Sequence, residues 1–491
     1  MENKETELKR QLNPMSVWAI AFGCIIGWGS FINPGKKFLP NSGVAGTAIA
    51  MVLGAIVMIV IAFSYAYMVP KFPKAGGEFN FTKNCFGKTA AFFCGWFLVA
   101  AYLTNVPMNS TAIGLIVDGL DGDANILQFN YLYEIAGFKV YLGELLFASF
   151  VLILFGFFNI IGVQKAGFIQ TILAALLAIS AFTLFAAGLI SSKAKGINME
   201  PVWGFDLAAA REAAANSSNI AVASNIGEFA HSGKAGIMAA ILATFAITPW
   251  AYVGFGTIPQ AAEEFKFSYK KVMFIMTVAI IFGGFVYISN NTVAAAALEY
   301  WPEKVLTGEW VVLIAAEELL GTFGKVLIGT GVSCAVLSGI MGFYLASSRL
   351  IYSMSRDGYL PKWFGKIDKK FATPKNAMIF CVLISLSGPI LGREALGWFV
   401  DMSSIGASIG YFFTCASTIK TIRKTGEKAG GVKVIATLGM IFAVIFMLLQ
   451  LIPIPGLNGV HFCTQSYIML IVWIVIGFSF YMFQRRKFNA E

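Results

Sequence analysis

The sequence predicts an all-α integral membrane protein of twelve transmembrane helices, the first ten forming a five-plus-five inverted repeat with discontinuous helices 1 and 6. Three observations predict it. Of 491 residues, 57% are hydrophobic and 13% charged, against roughly 25% charged in soluble domains. Apolar runs of about 20 residues, long enough to cross a bilayer, recur along almost the whole chain. Two of these runs are interrupted by the same phrase of glycine, aromatic, glycine, hydroxyl and apolar residue, with a proline close behind. The copies are Gly27-Trp28-Gly29-Ser30-Phe31 with Pro34, and Gly254-Phe255-Gly256-Thr257-Ile258 with Pro259.

In chain order, residues 1–14 mix Glu2, Glu5 and Glu7 with Lys4, Lys9 and Arg10 and lead into an apolar run with no small-residue cleavage site after it. They read as a cytoplasmic tail before a retained first helix. Spans follow at about 15–40, 44–70, 88–117, 142–162 and 166–190, then 236–262, 272–297, 325–352, 376–392 and 396–419. Residues 15–190 and 236–419 overlay with the first broken span on the sixth. Because five is odd, the second set starts on the opposite side of the membrane, which inverts the repeat. Two further spans at about 434–453 and 465–484 lie outside this core, and residues 485–491, with Arg485, Arg486 and Lys487, form a second cytoplasmic tail. Residues 191–235 make a long extracellular loop whose alanine-rich stretches, Ala208–Ala215 and Ala221–Ala230, read as one or two short helices. The acidic segment 299–324, with Glu299, Glu303, Glu309, Glu317 and Glu318, admits two readings: a lid over the outer vestibule or a solvated loop.

The net charge is +10, and its placement decides its meaning. Roughly 26 Lys and Arg fall on the side of the N-terminus and about 10 opposite, the asymmetry that sets membrane orientation. The basic residues sit in short loops at helix ends, which excludes nucleic acid as a partner and leaves the lipid bilayer and a small molecule. Seven scattered cysteines without a CxxC pair and only two histidines, His231 and His461, supply no metal site. No HExxH motif is present, and the G-x-S-x-G string at Gly406-Ala407-Ser408-Ile409-Gly410 lies inside a predicted span rather than at a strand-to-helix elbow, so an enzyme is not expected, and no cofactor is implied.

The breaks carry the functional signal. Glycine and proline weaken helices, and unpaired backbone groups in hydrocarbon cost several kcal/mol each. Interruptions at corresponding positions of two halves therefore point to a transporter's substrate site. If span 1 unwinds at Gly27–Gly29, the amides of Trp28, Gly29 and Ser30 are freed at the positive end of the outer half-helix, a site for a carboxylate. The alternative is close helix packing through Gly23, Gly27 and Gly29. In span 6, over Thr248–Gly256, the carbonyls near Trp250 to Val253 suit an ammonium group. Together they describe a zwitterion.

These residues resemble the APC superfamily of amino acid, polyamine and organocation permeases, and in particular its bacterial amino acid permeases. The resemblance rests on the Gly-x-Gly-x-Phe of span 1, Trp250-Ala251-Tyr252-Val253-Gly254-Phe255 leading to Glu263-Glu264, and Pro73-Lys74-Ala75-Gly76-Gly77-Glu78 with Phe79. Ser347-Ser348-Arg349, Ser355-Arg356-Asp357-Gly358-Tyr359-Leu360-Pro361 and Thr373-Pro374 fit the same pattern. It implies that Trp28, Gly29 and Ser30 hold the substrate carboxylate, that carbonyls near Cys24, Ile25, Trp250 and Val253 take its amino group, and that Trp250 is a gate. The chain departs from the pattern at Trp28, where a small residue is usual, and at Ser30, where isoleucine is usual. It departs again at Leu177, the position of a lysine that stands in for sodium in many proton-coupled relatives.

Two coupling candidates remain. Apart from Glu144 at the start of the fourth span, Asp401 is the one carboxylate inside a predicted span, about a turn and a half from its outer end, and an acid there costs a few kcal/mol unless paired, protonated or hydrated. Capping of a late-starting span is the competing account. Ser338, or Ser333, on span 8 could bind sodium with span 1 carbonyls, although the adjacent hydroxyl pair of such a site is missing. Asn105, Asn109, Asn290 and Asn291 either line the pathway or join helices. The expected function is secondary transport of a small zwitterionic amino acid by alternating access, proton-coupled or by exchange. A polyamine or cationic-amine permease is the alternative.

Overall fold

The computed structural model describes residues 8–121, 124–135, 138–392, 395–454 and 461–488. Helix α1 (Pro14–Ile25) starts behind Asn13, whose side chain accepts from the Ser16 amide, and has proline at its first position. Both features favour a helix start. It stops at Ile26, and α2 (Gly29–Asn33) restarts the helix. A π turn over Pro34–Phe38 leads into α3 (Leu39–Met68). The expected loop between spans 1 and 2 is instead a kink at one residue, Gly43, with φ 62°. A Cβ there would lie 2.1 Å from the Val202 carbonyl oxygen, so only glycine lets the long 191–235 connection dock at this point.

After α3 come α4 (Gly77–Phe86), α5 (Lys88–Leu103) and α6 (Asn105–Asp121), the last two separated only at Thr104. The hairpin β1 (Tyr131–Ile135) and β2 (Phe138–Tyr141), antiparallel with Ile135 opposite Phe138, was not expected from the sequence. Then follow α7 (Leu142–Ile160) and α8 (Val163–Ile190). The long connection holds two short helices, α9 (Leu207–Ala215) and α10 (Asn219–Ser224), as its alanine content suggested. The expected sixth span is in pieces: α11 (Gly233–Phe245), α12 (Thr248–Ala251), a 3-10 turn over Val253–Gly256 and α13 (Thr257–Gln260).

The remaining elements are α14 (Val272–Ala297), α15 (Trp301–Leu306), α16 (Val311–Leu320), α17 (Thr322–Arg356), α18 (Lys375–Ser385), α19 (Ser387–Leu391), α20 (Ala395–Thr425), α21 (Gly430–Leu451) and α22 (Thr464–Phe488). The acidic segment 299–324 is thus largely helical. Val311 and Val312 of α16 are fully buried, and the Trp310 indole donates to the Phe31 carbonyl (2.8 Å), which pins the segment to α2. Among the described residues nine runs are long and apolar enough to cross a membrane, and the first, Pro14–Met68, holds the 15–40 and 44–70 spans together. The protein is a multi-pass membrane protein.

Small residues set the centre of the bundle. A Cβ on Gly23 would fall 1.7 Å from Ser338 Oγ, and one on Gly342 would fall 2.2 Å from Cys24 Sγ, so α17 lies directly against α1. Gly283 brings α14 equally close, its added Cβ 2.3 Å from the Ile25 side chain. Close packing of this kind replaces the hydrophobic drive that is missing between helices in lipid. Large apolar side chains such as Phe168 and Ile471 are left on the outer faces.

Candidate substrate site

The first break is short and its groups can be traced individually. The Ile26 amide closes α1 on the Phe22 carbonyl (2.9 Å). The amides of Gly27, Trp28 and Gly29 have no acceptor among the described residues. Ser30 differs from expectation: its amide donates to the Gly27 carbonyl (3.3 Å) and its hydroxyl to the same oxygen (3.1 Å). The freed set is therefore 27–29 rather than 28–30, because the half-helix begins at Gly29 and Ser30 already closes its first turn. At the other lip, the Ile25 carbonyl accepts from Tyr287 Oη (3.1 Å), while the Gly23 and Cys24 carbonyls have no donor among the described residues. Unpaired donors and unpaired acceptors thus face one gap from opposite half-helices.

The second break touches the first. A Cβ on Gly254 would come 2.4 Å from the Ile25 nitrogen and 2.5 Å from the Cys24 carbonyl carbon, so the turn after Trp250 lies on the exposed backbone of α1. Val253, in the same turn, is buried. Trp250 covers the start of the outer half-helix: its ring lies 2.4 Å from where a Cβ on Gly29 would be, and its Nε1 donates to Asn105 Oδ1 (3.2 Å). Trp28 stands beside it, ring centroids 6.2 Å apart, both indoles at most 5% exposed. Among the described residues the Trp28 Nε1 has no hydrogen-bond partner, and neither has Asn109 Oδ1, which is 3.5 Å from an added Cβ on Gly27. Buried polar atoms without partners are rare and call for an explanation. Here a polar ligand would complete them.

On the side of the breaks that carries residues 8–13 lie two ion pairs. Glu264 is fully buried and accepts from Arg349 Nε (2.7 Å) and Nη2 (3.3 Å). Glu263 gathers Arg356 Nη1 (3.0 Å), the Leu8 amide and the Ala75 amide (3.0 Å each), tying α13, α17, the N-terminal segment and the loop before α4 together. That loop needs its glycines: Gly76 has φ 97° and approaches Ser353, and Gly77 has φ 38° against Pro259 and Gln260.

The turn they make delivers Glu78, fully buried, to a set of neutral donors. Tyr65 Oη lies 2.7 Å from its Oε1, Tyr102 Oη 2.9 Å from the same oxygen, and Gln260 Nε2 donates to Oε2. Burial pushes this carboxyl up to about 7, and the three donors limit the rise.

The amino acid permease family model matches residues 12–480. The chain belongs to this family. Large neutral amino acids transporter small subunit 2 of Oryctolagus cuniculus is 27% identical across 77% of the permease and 64% of that relative. Asc-type amino acid transporter 1 of Mus musculus is 26% identical over the same shares. The permease thus spans less than two thirds of these mammalian relatives. Glutamate/serine transporter AimA of Bacillus subtilis (strain 168) is 24% identical across 98% of the permease and 83% of its own length.

Within the permease, Cys24, Ile25, Trp28, Gly29, Ser30, Trp250 and Val253 all lie at the two breaks; of the coupling candidates, Ser338 packs against Gly23 beside the first break and Asp401 lies apart from both. Ser338 meets Gln170 of α8, whose Nε2 lies 2.6 Å from its hydroxyl, 3.3 Å from its carbonyl and 3.2 Å from the Ala19 carbonyl. Asp401 accepts from Ser466 Oγ of α22 (2.6 Å), and no hydrogen bond joins it to either break among the described residues. Asn290 and Asn291 donate to the Ser30 and Gly43 carbonyls, joining α14 to α2 and to the kink in α3. Sequence reasoning named Glu78 within a motif but gave it no role. The signal available was an acid directly after two glycines, between two spans.

Proposed function

We propose that the permease is a secondary transporter that moves a small zwitterionic amino acid across the cell membrane by alternating access. In this reading twelve spans make up the protein, ten of them as a five-plus-five inverted repeat, with both termini cytoplasmic. The observation that carries it is the contact of the two breaks, with unpaired amides at 27–29 facing unpaired carbonyls at Gly23 and Cys24. The amides and the positive end of the half-helix take the carboxylate. The carbonyls of α1, with those near Trp250 and Val253, take the ammonium. Trp250 closes over the bound molecule, and the Glu264–Arg349 and Glu263–Arg356 pairs close the cytoplasmic side. Relatives named for large neutral amino acids and for glutamate and serine support an amino acid over a polyamine. So does the lack, among the described residues, of a carboxylate hydrogen-bonded to either break. Sodium coupling at Ser338 is disfavoured, because Gln170 Nε2 already meets the oxygens that a cation would need.

Counterflow in proteoliposomes tests the reading. Radiolabelled leucine, serine, glutamate and putrescine would be presented to vesicles preloaded with the same unlabelled compound. Saturable counterflow of at least one amino acid and none of putrescine is expected; no amino acid counterflow sinks it. Gly29→Leu drives a side chain into the Trp250 ring and over the free amides, and should abolish counterflow while the protein still inserts. Retained affinity would remove the carboxylate site from 27–29.

A further inference from the structure

We propose that Glu78, Tyr102 and the Gly256 carbonyl form a proton-operated latch on the broken sixth span, which makes Glu78 the residue that couples transport to protons. The inference rests on the transporter reading above and names its coupling ion. A phenol has one hydrogen. Tyr102 Oη lies 2.9 Å from Glu78 Oε1 and 2.9 Å from the Gly256 carbonyl, both of which accept, so it serves one at a time. With Glu78 ionised, Tyr102 donates to the carboxylate and the carbonyl goes without. With Glu78 protonated, the acid donates to Tyr102 and Tyr102 turns its hydrogen to Gly256, fastening the turn after Trp250 to α5. The proton comes from water and returns to water; no other group changes.

The surroundings suit this role. A Cβ on Gly256 would be 2.7 Å from Tyr102 Oη, so glycine permits the contact. Tyr102 is three residues from Asn105, which holds the Trp250 indole, so the latch and the gate meet across the Thr104 junction of α5 and α6. The titratable groups facing Glu78 are Tyr65 from α3, Cys94 and Tyr102 from α5, and Tyr411 from α20. From α13 it meets Gln260, which is neutral. The charged groups in the C-terminal part of α17 and just after it are engaged elsewhere: Arg349 with Glu264, Arg356 with Glu263, and Asp357 with Lys83 of α4. Among these neighbours, then, Glu78 has no ion-pair partner. Its raised carboxyl, at about 7, keeps both protonation states accessible near neutral pH.

The test uses full-length protein in proteoliposomes with radiolabelled leucine, serine and glutamate. Wild type should accumulate label when the interior is made alkaline by one unit with the membrane potential clamped. Glu78→Gln should lose that accumulation, of up to tenfold, so that label only equilibrates, and keep counterflow within about twofold. Accumulation by Glu78→Gln at the wild-type level overturns the proposal. So does wild-type counterflow that ignores the pH gradient, an outcome that leaves the transporter reading standing; absence of wild-type counterflow fails that reading instead. Should Glu78→Gln show no counterflow, Tyr65→Phe and Tyr102→Phe decide. Loss of a donor to the carboxylate raises its proton affinity, so Tyr65→Phe must move the midpoint of uptake against pH upward, and Tyr102→Phe must flatten the dependence. A profile unchanged in both variants overturns the latch.

Discussion

Glu264 and Glu78 are both fully buried, lie on adjoining elements near the same face, and meet opposite company. Glu264 is held by the Arg349 guanidinium at 2.7 and 3.3 Å, with Arg349 itself 0% exposed. Glu78 is held by two phenols and an amide. A buried charge facing a buried counter-charge is a lock, because removing either side leaves the other stranded in low dielectric. A buried carboxyl facing only neutral donors can exchange its charge for a proton, and its affinity for that proton rises with desolvation. In the proposed transport cycle, the difference separates an element that must be pulled apart mechanically from one that would respond to pH.

The largest effect should come from breaking the lock. Arg349→Met leaves Glu264 without its cation and should cost on the order of 3 to 5 kcal/mol, read as a loss of folded protein on heating in detergent. The double variant Arg349→Met with Glu264→Gln should recover much of this, since it removes both charges. A single variant as stable as wild type would mean that Glu264 finds another partner and that the two carboxylates differ less than their contacts indicate.

Next in size is the pH response of Glu78. Its carboxyl is raised from 4.5 to about 7 in the folded protein, so between those values the folded state binds more protons than the unfolded one. Stability is then fullest below pH 4.5 and falls as pH rises toward 7, by roughly 3 kcal/mol in all. Glu78→Gln should flatten that slope. Melting temperatures measured from pH 5 to 8 check it; an equal slope in the variant assigns the response to another group.

How much of this was legible in the sequence follows from which interactions are local. The breaks were legible because Gly27, Gly29, Gly254 and Pro259 weaken helices wherever they stand. The register at Ser30 was not, since whether its amide is free depends on where the half-helix restarts, a matter of one residue. The turn before Glu78 could be read from Gly76 and Gly77, but its partners Tyr65, Tyr102 and Gln260 sit 13, 24 and 182 residues away, and only the fold brings them together. Gln170 on Ser338 was hidden for the same reason, 168 residues apart. The β1–β2 hairpin did leave a trace, two runs rich in aromatic and β-branched residues separated by two positions, each too short to resemble a span.

A third carboxylate sets the lower bound of the comparison. Asp357 pairs with Lys83 at 2.7 Å, as short as the Glu264–Arg349 contact, yet these side chains are 21% and 33% exposed. If pairing alone fixed the energetics, Lys83→Met would rival Arg349→Met. Water reaches both partners, so the Coulomb term is screened and neither charge is stranded when the other is removed. Lys83→Met should therefore shift stability by less than about 1 kcal/mol, diminish further with added salt, and leave in place the pH dependence assigned to Glu78, five residues earlier in the same helix. A cost comparable to that of Arg349→Met would show that the α4–α17 contact, rather than burial of charge, holds this face closed.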